Sequence, residues 1–179
     1  AQGAYVRYPC VDLLGLLALE SHRNRCLVIG EDLGTVPDEV RAALGAAGAL
    51  SYRLLYFERE RSGDFKPPSA YPRQALAAAT THDLPTLAGW WAGRDLAIRA
   101  ALGLFPNAQA HEAQAAARVT DRARLLRALE REGLLPPGVS ANPESVPAFT
   151  PELARAVAEF LARCAAQVML VQLEDVLGV

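Results

Sequence analysis

Two acidic clusters stand where apolar runs stop. Glu31 and Asp32 close the run Cys26-Leu27-Val28-Ile29-Gly30, and Thr81-His82-Asp83 follows the apolar stretch 75–80. A Glu that closes a buried strand sits against apolar neighbours, and partial desolvation lets a carboxyl hold a proton near neutral pH. That property suits a general acid. Two carboxyls in differing surroundings are the working parts of glycosidic bond cleavage, one protonating the leaving oxygen while another attacks or stabilises the oxocarbenium-like sugar. Glu31 and Asp83 are candidates for two of those parts. His82 is a candidate donor to a sugar hydroxyl, Phe57, Trp90 and Trp91 are candidate apolar platforms under a pyranose ring, and Asp32 is a further candidate substrate contact. Each has a plainer reading: Glu31-Asp32 as a solvated turn, Asp83 as a helix cap, His82 as a hydrogen-bonded rim residue and the tryptophans as core. Asp38, Glu39, Glu174 and Asp175 read as cap and surface charges.

Spacing strengthens the joint case. Glu31, Phe57 and Asp83 are 26 residues apart at each step, about the length taken by a strand, a crossover and two loops. Evenly stepped strand ends imply neighbouring parallel strands whose C-terminal tips share one side, which is where α/β proteins place their chemistry.

The elements that would hold these residues follow from periodicity. Leu13, Leu14, Leu16, Leu17 and Leu19 predict a helix over 12–24, with Asp12 as N-cap and Asn24 near its end. A buried strand is expected over 26–30, and Thr35, Pro37 and Asp38 form a capping-box-like start for a short alanine-rich helix ending near Gly45 or Gly48. Leu50 to Phe57, rich in aromatics, predicts a second strand, and Ser62 to Pro72 a loop. Ala75 to Thr80 favours helix on intrinsic propensity, but the stepped spacing predicts a strand. Helices broken by Pro106 and Gly133 fill the stretch from Asp95 to Val146, Thr150-Pro151-Glu152 starts an amphipathic helix to about Cys164, and Gln167 to Gln172 is a fourth strand.

The totals set the class. With 51% apolar residues in 179, the chain can bury a core. A net charge of -2 without a basic stripe argues against nucleic acid and anionic lipid as partners. Cys10, Cys26 and Cys164 lack metal-ligand spacing and read as reduced core thiols, which fits the cytoplasm. No apolar stretch reaches the roughly 20 residues that span a bilayer. Without an initial Met or a polar tail at either end, the chain reads as an excerpt of something longer.

Three segments carry a specific resemblance: Gly3-Ala4-Tyr5-Val6-Arg7-Tyr8-Pro9, the stretch 28–37 (VIGEDLGTVP) and the stretch 80–86 (TTHDLPT). They resemble the amylomaltases, bacterial 4-α-glucanotransferases. The resemblance implies a (β/α)8 barrel of the α-amylase kind that moves α-1,4-glucan segments between maltooligosaccharides through a covalent glycosyl-enzyme intermediate, without a cofactor or metal. By position, Glu31 is similar to the family's general acid/base after the fifth strand and Asp83 to its transition-state-stabilising acid after the seventh. His82 is similar to the sugar-binding histidine and Phe57 to an aromatic lining the acceptor side. The family's nucleophilic Asp lies after the fourth strand in a Gly-x-Arg-x-Asp pattern that this chain does not contain, and Cys10 stands where the family leads one to expect phenylalanine.

The reading is therefore an α/β chain forming the second half of a (β/α)8 barrel, strands five to eight. One domain over 1–179 is expected, with a helical insertion at about 95–150 between strands seven and eight. As a half-barrel lacking the nucleophile it is expected to be inactive alone and to need the missing N-terminal half. The competing readings are an α-amylase-clan hydrolase and a non-catalytic carbohydrate-binding α/β fragment.

Overall fold

The computed structural model describes residues 3, 4, 6 and 8–178. Tyr5 and Arg7 of the first motif lie outside the described residues. Four strands, β1 (Ile29–Gly30), β2 (Leu50–Leu54), β3 (Ala75–Ala78) and β4 (Val168–Leu170), form one sheet in sequence order, every pair parallel. The fold class is α/β, as expected. Around the sheet lie α1 (Cys10–Asn24), α2 (Asp38–Ala46), α3 (Leu87–Ala92), α4 (Arg94–Ala101), α5 (Ala108–Arg131), α6 (Pro151–Ala162) and α7 (Leu173–Leu177). Helix α2 lies between β1 and β2 in sequence, α3 to α6 between β3 and β4. The crossover from β2 to β3 holds no α-helix; it is the expected loop, folded on an Arg59–Phe65 bridge and a single 3₁₀ turn at Pro68–Ala70.

Strand β3 shows tertiary context overriding propensity. Its four residues are all buried between β2 and β4, and alanine there lets helices approach a central parallel strand closely. Alternation splits the sheet into two faces. Leu55, Ala77, Ala79 and Met169 point outward into a core completed by Trp90, Trp91, Leu125, Leu126, Val157 and Phe160. Leu54, Leu76 and Ala78 point inward, joined only by the partly buried Leu33, Tyr52, Leu84 and Val168.

The structure corrects several expectations in the first 48 residues and elsewhere. Helix α1 starts at Cys10 behind Pro9, so Asp12 lies inside its first turn, and none of its residues is buried. Its leucines mark a helix correctly but stay exposed, except for the half-buried Leu14, which with Leu13 borders a hollow shared with Pro37 and Val40. Strand β1 is two residues long and Ile29 is 44% exposed, because β1 is an edge of the described sheet. Pro37, not Thr35, occupies the N-cap of α2, and no side chain caps it. Cys10 and Cys26 are exposed and Cys164 is half-buried; all three are free thiols, but none is a fully buried core residue. Asp175, read as a surface charge, is buried. Among the described residues no helix is long and apolar enough to cross a membrane.

Candidate active site

Register places the candidate residues on one rim. Gly30 pairs with Ser51, and Leu54 pairs with Ala78, so the segments following β1, β2 and β3 leave the sheet at the same, C-terminal, end. Glu31 follows β1 directly, Phe57 lies three residues past β2, and His82 and Asp83 lie four and five past β3. Gly30 allows the close entry to this rim: a Cβ there would lie 3.3 Å from Leu44 Cδ1. Glu31 and Phe57 are exposed, and the side chains of His82 and Asp83 are 83% and 76% exposed with His82 Nε2 at 3.4 Å from Asp83 Oδ2. The burial expected around Glu31 is therefore not supplied by these residues, since its strand is an edge and nothing among the described residues covers the inner face beside it.

Asp32 departs from the role expected of it. Its Oδ1 accepts the Tyr52 N–H at 2.8 Å, and its Oδ2 lies 3.6 Å from Arg41 Nε and 3.8 Å from Arg53 Nη2. Arg41 also donates to the Asp32 and Gly34 carbonyls. This buried carboxylate thus extends the β1–β2 ladder by one bond and fixes the loop that begins at Glu31. A row of charges continues behind Phe57, where Arg53 and Lys66 hold the buried Glu58 at 3.4 and 2.7 Å. Asp32, Tyr52, Arg53, Phe57 and Glu58 line a cleft of about 380 Å³ between the first two rim loops.

Trp90 is likewise corrected. It is 5% exposed, stacked on Tyr56 with ring centroids 5.2 Å apart, and has Arg118 over its ring, so no face remains for a sugar. Trp91, 1% exposed, donates its indole N–H to the Val146 carbonyl. Asp83 is not the cap of α3: Thr86 fills that position, accepting from Gly89 N–H at 3.1 Å. The helix-cap explanation for Asp83 falls with it.

Tyr52 is a residue the sequence reading passed over. It sits inward on β2 among partly buried apolar groups; burial and then the neighbouring Glu31 charge push its hydroxyl pKa up, keeping it a proton-bearing donor beside the candidate acid. Its position two residues after Leu50 on an inward-facing register was the available signal. Among the described residues no group of three or more His, Cys, Asp or Glu is placed to hold a metal ion.

The model of the 4-alpha-glucanotransferase family matches residues 1–179. The chain belongs to that family. It is 44% identical over 178 residues to a 4-alpha-glucanotransferase of Haemophilus influenzae, covering 99% of this chain and 25% of the relative. With one of Mycobacterium tuberculosis it shares 38% over 181 residues, covering 99% and 24%. The crystal structure of amylomaltase from Corynebacterium glutamicum matches with a TM-score of 0.79 and 30% identity over 93% of this chain and 24% of that one. The amylomaltase from Streptococcus agalactiae in complex with acarbose, 15% identical, matches in fold with a TM-score of 0.57 over 97% of this chain and 27% of that one. This chain spans about a quarter of the length of these relatives, and its sequential parallel sheet is a partial (β/α)8 barrel of the family.

Proposed function

We propose that this chain is the half-barrel of a retaining 4-α-glucanotransferase that carries the acid/base, Glu31, and the charge-stabilising acid, Asp83. The attacking carboxylate would come from barrel strands outside this chain. The observation that carries the reading is the shared rim: acid, aromatic and His-Asp pair follow three neighbouring parallel strands at the same end. On this reading residues 1–179 are one partial-barrel domain with the insertion at about 95–150, and its partners are α-1,4-glucans and the remaining half of the barrel.

The chemistry would run in two balanced steps. The upstream carboxylate attacks the anomeric carbon as Glu31 gives its proton to the departing glycosidic oxygen, forming a glycosyl ester; Asp83 steadies the positive charge between them. Glu31, now a carboxylate, takes the proton of an incoming sugar 4-hydroxyl, whose oxygen displaces the ester. Retention places the attacking acid and Glu31 about 5–5.5 Å apart. His82 holds a hydroxyl of the sugar being transferred, and Phe57 walls the acceptor side of the cleft it lines with Asp32 and Arg53. Asp32 acts behind the site, fixing the Glu31 loop. Closure of the inner face by the other half would bury Glu31, and an acceptor lying on Phe57 would outcompete water. Free thiols at Cys10, Cys26 and Cys164 support a reducing cytoplasm, where maltodextrin or glycogen is the source of donor chains.

The test is maltotriose disproportionation. The chain alone should leave maltotriose unchanged; combined with the other half of its barrel, it should convert two maltotrioses into glucose and maltopentaose. Robust disproportionation by the chain alone would overturn the divided site, and reducing sugar released without chain lengthening would replace transfer by hydrolysis.

A further inference from the structure

The loop that carries His82 and Asp83 is bare at its tip and bonded at its base. At the tip, Asp83 N–H donates to Thr81 Oγ1 at 3.3 Å and Leu84 N–H to the Thr81 carbonyl at 3.1 Å, both within the loop itself. At the base, bonds arrive from residues just past β2, β3 and β4. Thr80 Oγ1, just past β3, and the Tyr56 hydroxyl, just past β2, both donate to the Pro85 carbonyl, at 3.1 and 3.2 Å. From past β4, Asp175 Oδ1 accepts the Leu87 N–H at 2.7 Å across 88 positions of sequence.

The Asp175 bond stands out energetically. Thr86 already caps α3, and an N–H at a first helical position is ordinarily left to water. Burying a carboxyl for one such N–H costs free energy that a surface cap does not, and burial pushes the Asp175 pKa up against the lowering pull of the Leu87 bond. What the bond achieves is a fixed distance between the β4 end and the point where the loop enters α3. Tyr56 joins the two braces: it holds the Pro85 carbonyl, stacks on Trp90, and is itself pushed up in pKa by burial and then by the Asp175 charge, so its hydroxyl stays a donor.

We propose that Asp175 is a positioning residue for the His82–Asp83 loop, bracing it from the fourth strand through the Leu87 N–H so that the Asp83 carboxyl stands at a fixed place over the rim. The inference rests on the role given to Asp83 above. It adds a residue that never touches the sugar.

Hydrogen exchange in the chain tests the brace without any activity. Asp175→Ala should speed exchange at Leu87 and Leu84 about tenfold or more, the cost of one lost buried bond, with β3 and α5 amides unchanged. Asp175→Asn keeps an acceptor oxygen and should return both rates to near normal. If Asp175→Ala does not fold, Asp175→Leu, which keeps the volume, replaces it with the same expected result. In the completed barrel, Asp175→Ala should lower kcat about tenfold or more with KM within about twofold, and Asn should rescue it. Unchanged exchange at Leu87, or an Asn variant no better than Ala, overturns the brace. Asp83→Asn is measured alongside: a loop loosened by Asp175→Ala with turnover intact in both variants supports the brace and overturns the role of Asp83 instead.

Discussion

The two faces of the sheet are built to different degrees. Outward, Leu55, Ala77 and Ala79 meet Trp91, Leu125 and Phe160 in a closed core. Inward, three buried residues are joined by half-buried ones, and Glu31, Phe57, His82 and Asp83 lie exposed at the rim, whereas Asp32, Trp90 and Trp91 are buried. Alternate residues of the same strands therefore serve different ends: one set holds the fold, the next set faces the cleft. This separation lets a rim carry exposed acids without costing core stability, and it leaves the site dependent on whatever closes the inner face.

Substitutions on the two faces should have unequal effects. Trp91→Ala, on the finished face, should cost about 3–5 kcal/mol in denaturant unfolding, since a fully buried ring leaves a cavity. A loss under about 1 kcal/mol would mean the outer core is not where stability resides. Asp32→Ala lies at the boundary between the faces. It should cost about 1–3 kcal/mol by stranding the Tyr52 N–H and two arginines, and should speed exchange at Tyr52 while sparing β3. Unaltered Tyr52 exchange would show that Asp32 does not secure β1. Leu16→Ala, on the uncovered α1, should change stability by no more than about 0.5 kcal/mol; a larger cost would reveal a partner for that helix.

Much of this division was visible in the sequence, and its gaps have physical causes. The 26-residue steps identified β3 despite its alanines, because spacing reports topology while propensity reports only local preference. Thr150-Pro151 marked the start of α6 because cap chemistry is local. Leucine periodicity identified α1 as a helix and could not say that none of its residues would be buried. The run ending at Gly30 read as buried because apolar content is local, whereas edge position belongs to the sheet. Asp175 was missed because its partner lies 88 residues away and no short pattern joins them. Of the site residues, Glu31, Phe57, His82 and Asp83 are brought to one rim; Trp90 was misplaced because an aromatic after a rim loop looks alike whether it faces the cleft or the core.

The most direct test of the account uses two donors in the completed barrel carrying Glu31→Gln. Maltotriose needs a proton on its leaving oxygen, whereas α-maltosyl fluoride loses fluoride without one. The account predicts a loss of about 10²-fold or more on maltotriose, and a far smaller loss, under about tenfold, in first-turnover fluoride release. A near-normal rate on maltotriose, or equal losses on both donors, would contradict the assignment of Glu31 as the proton donor.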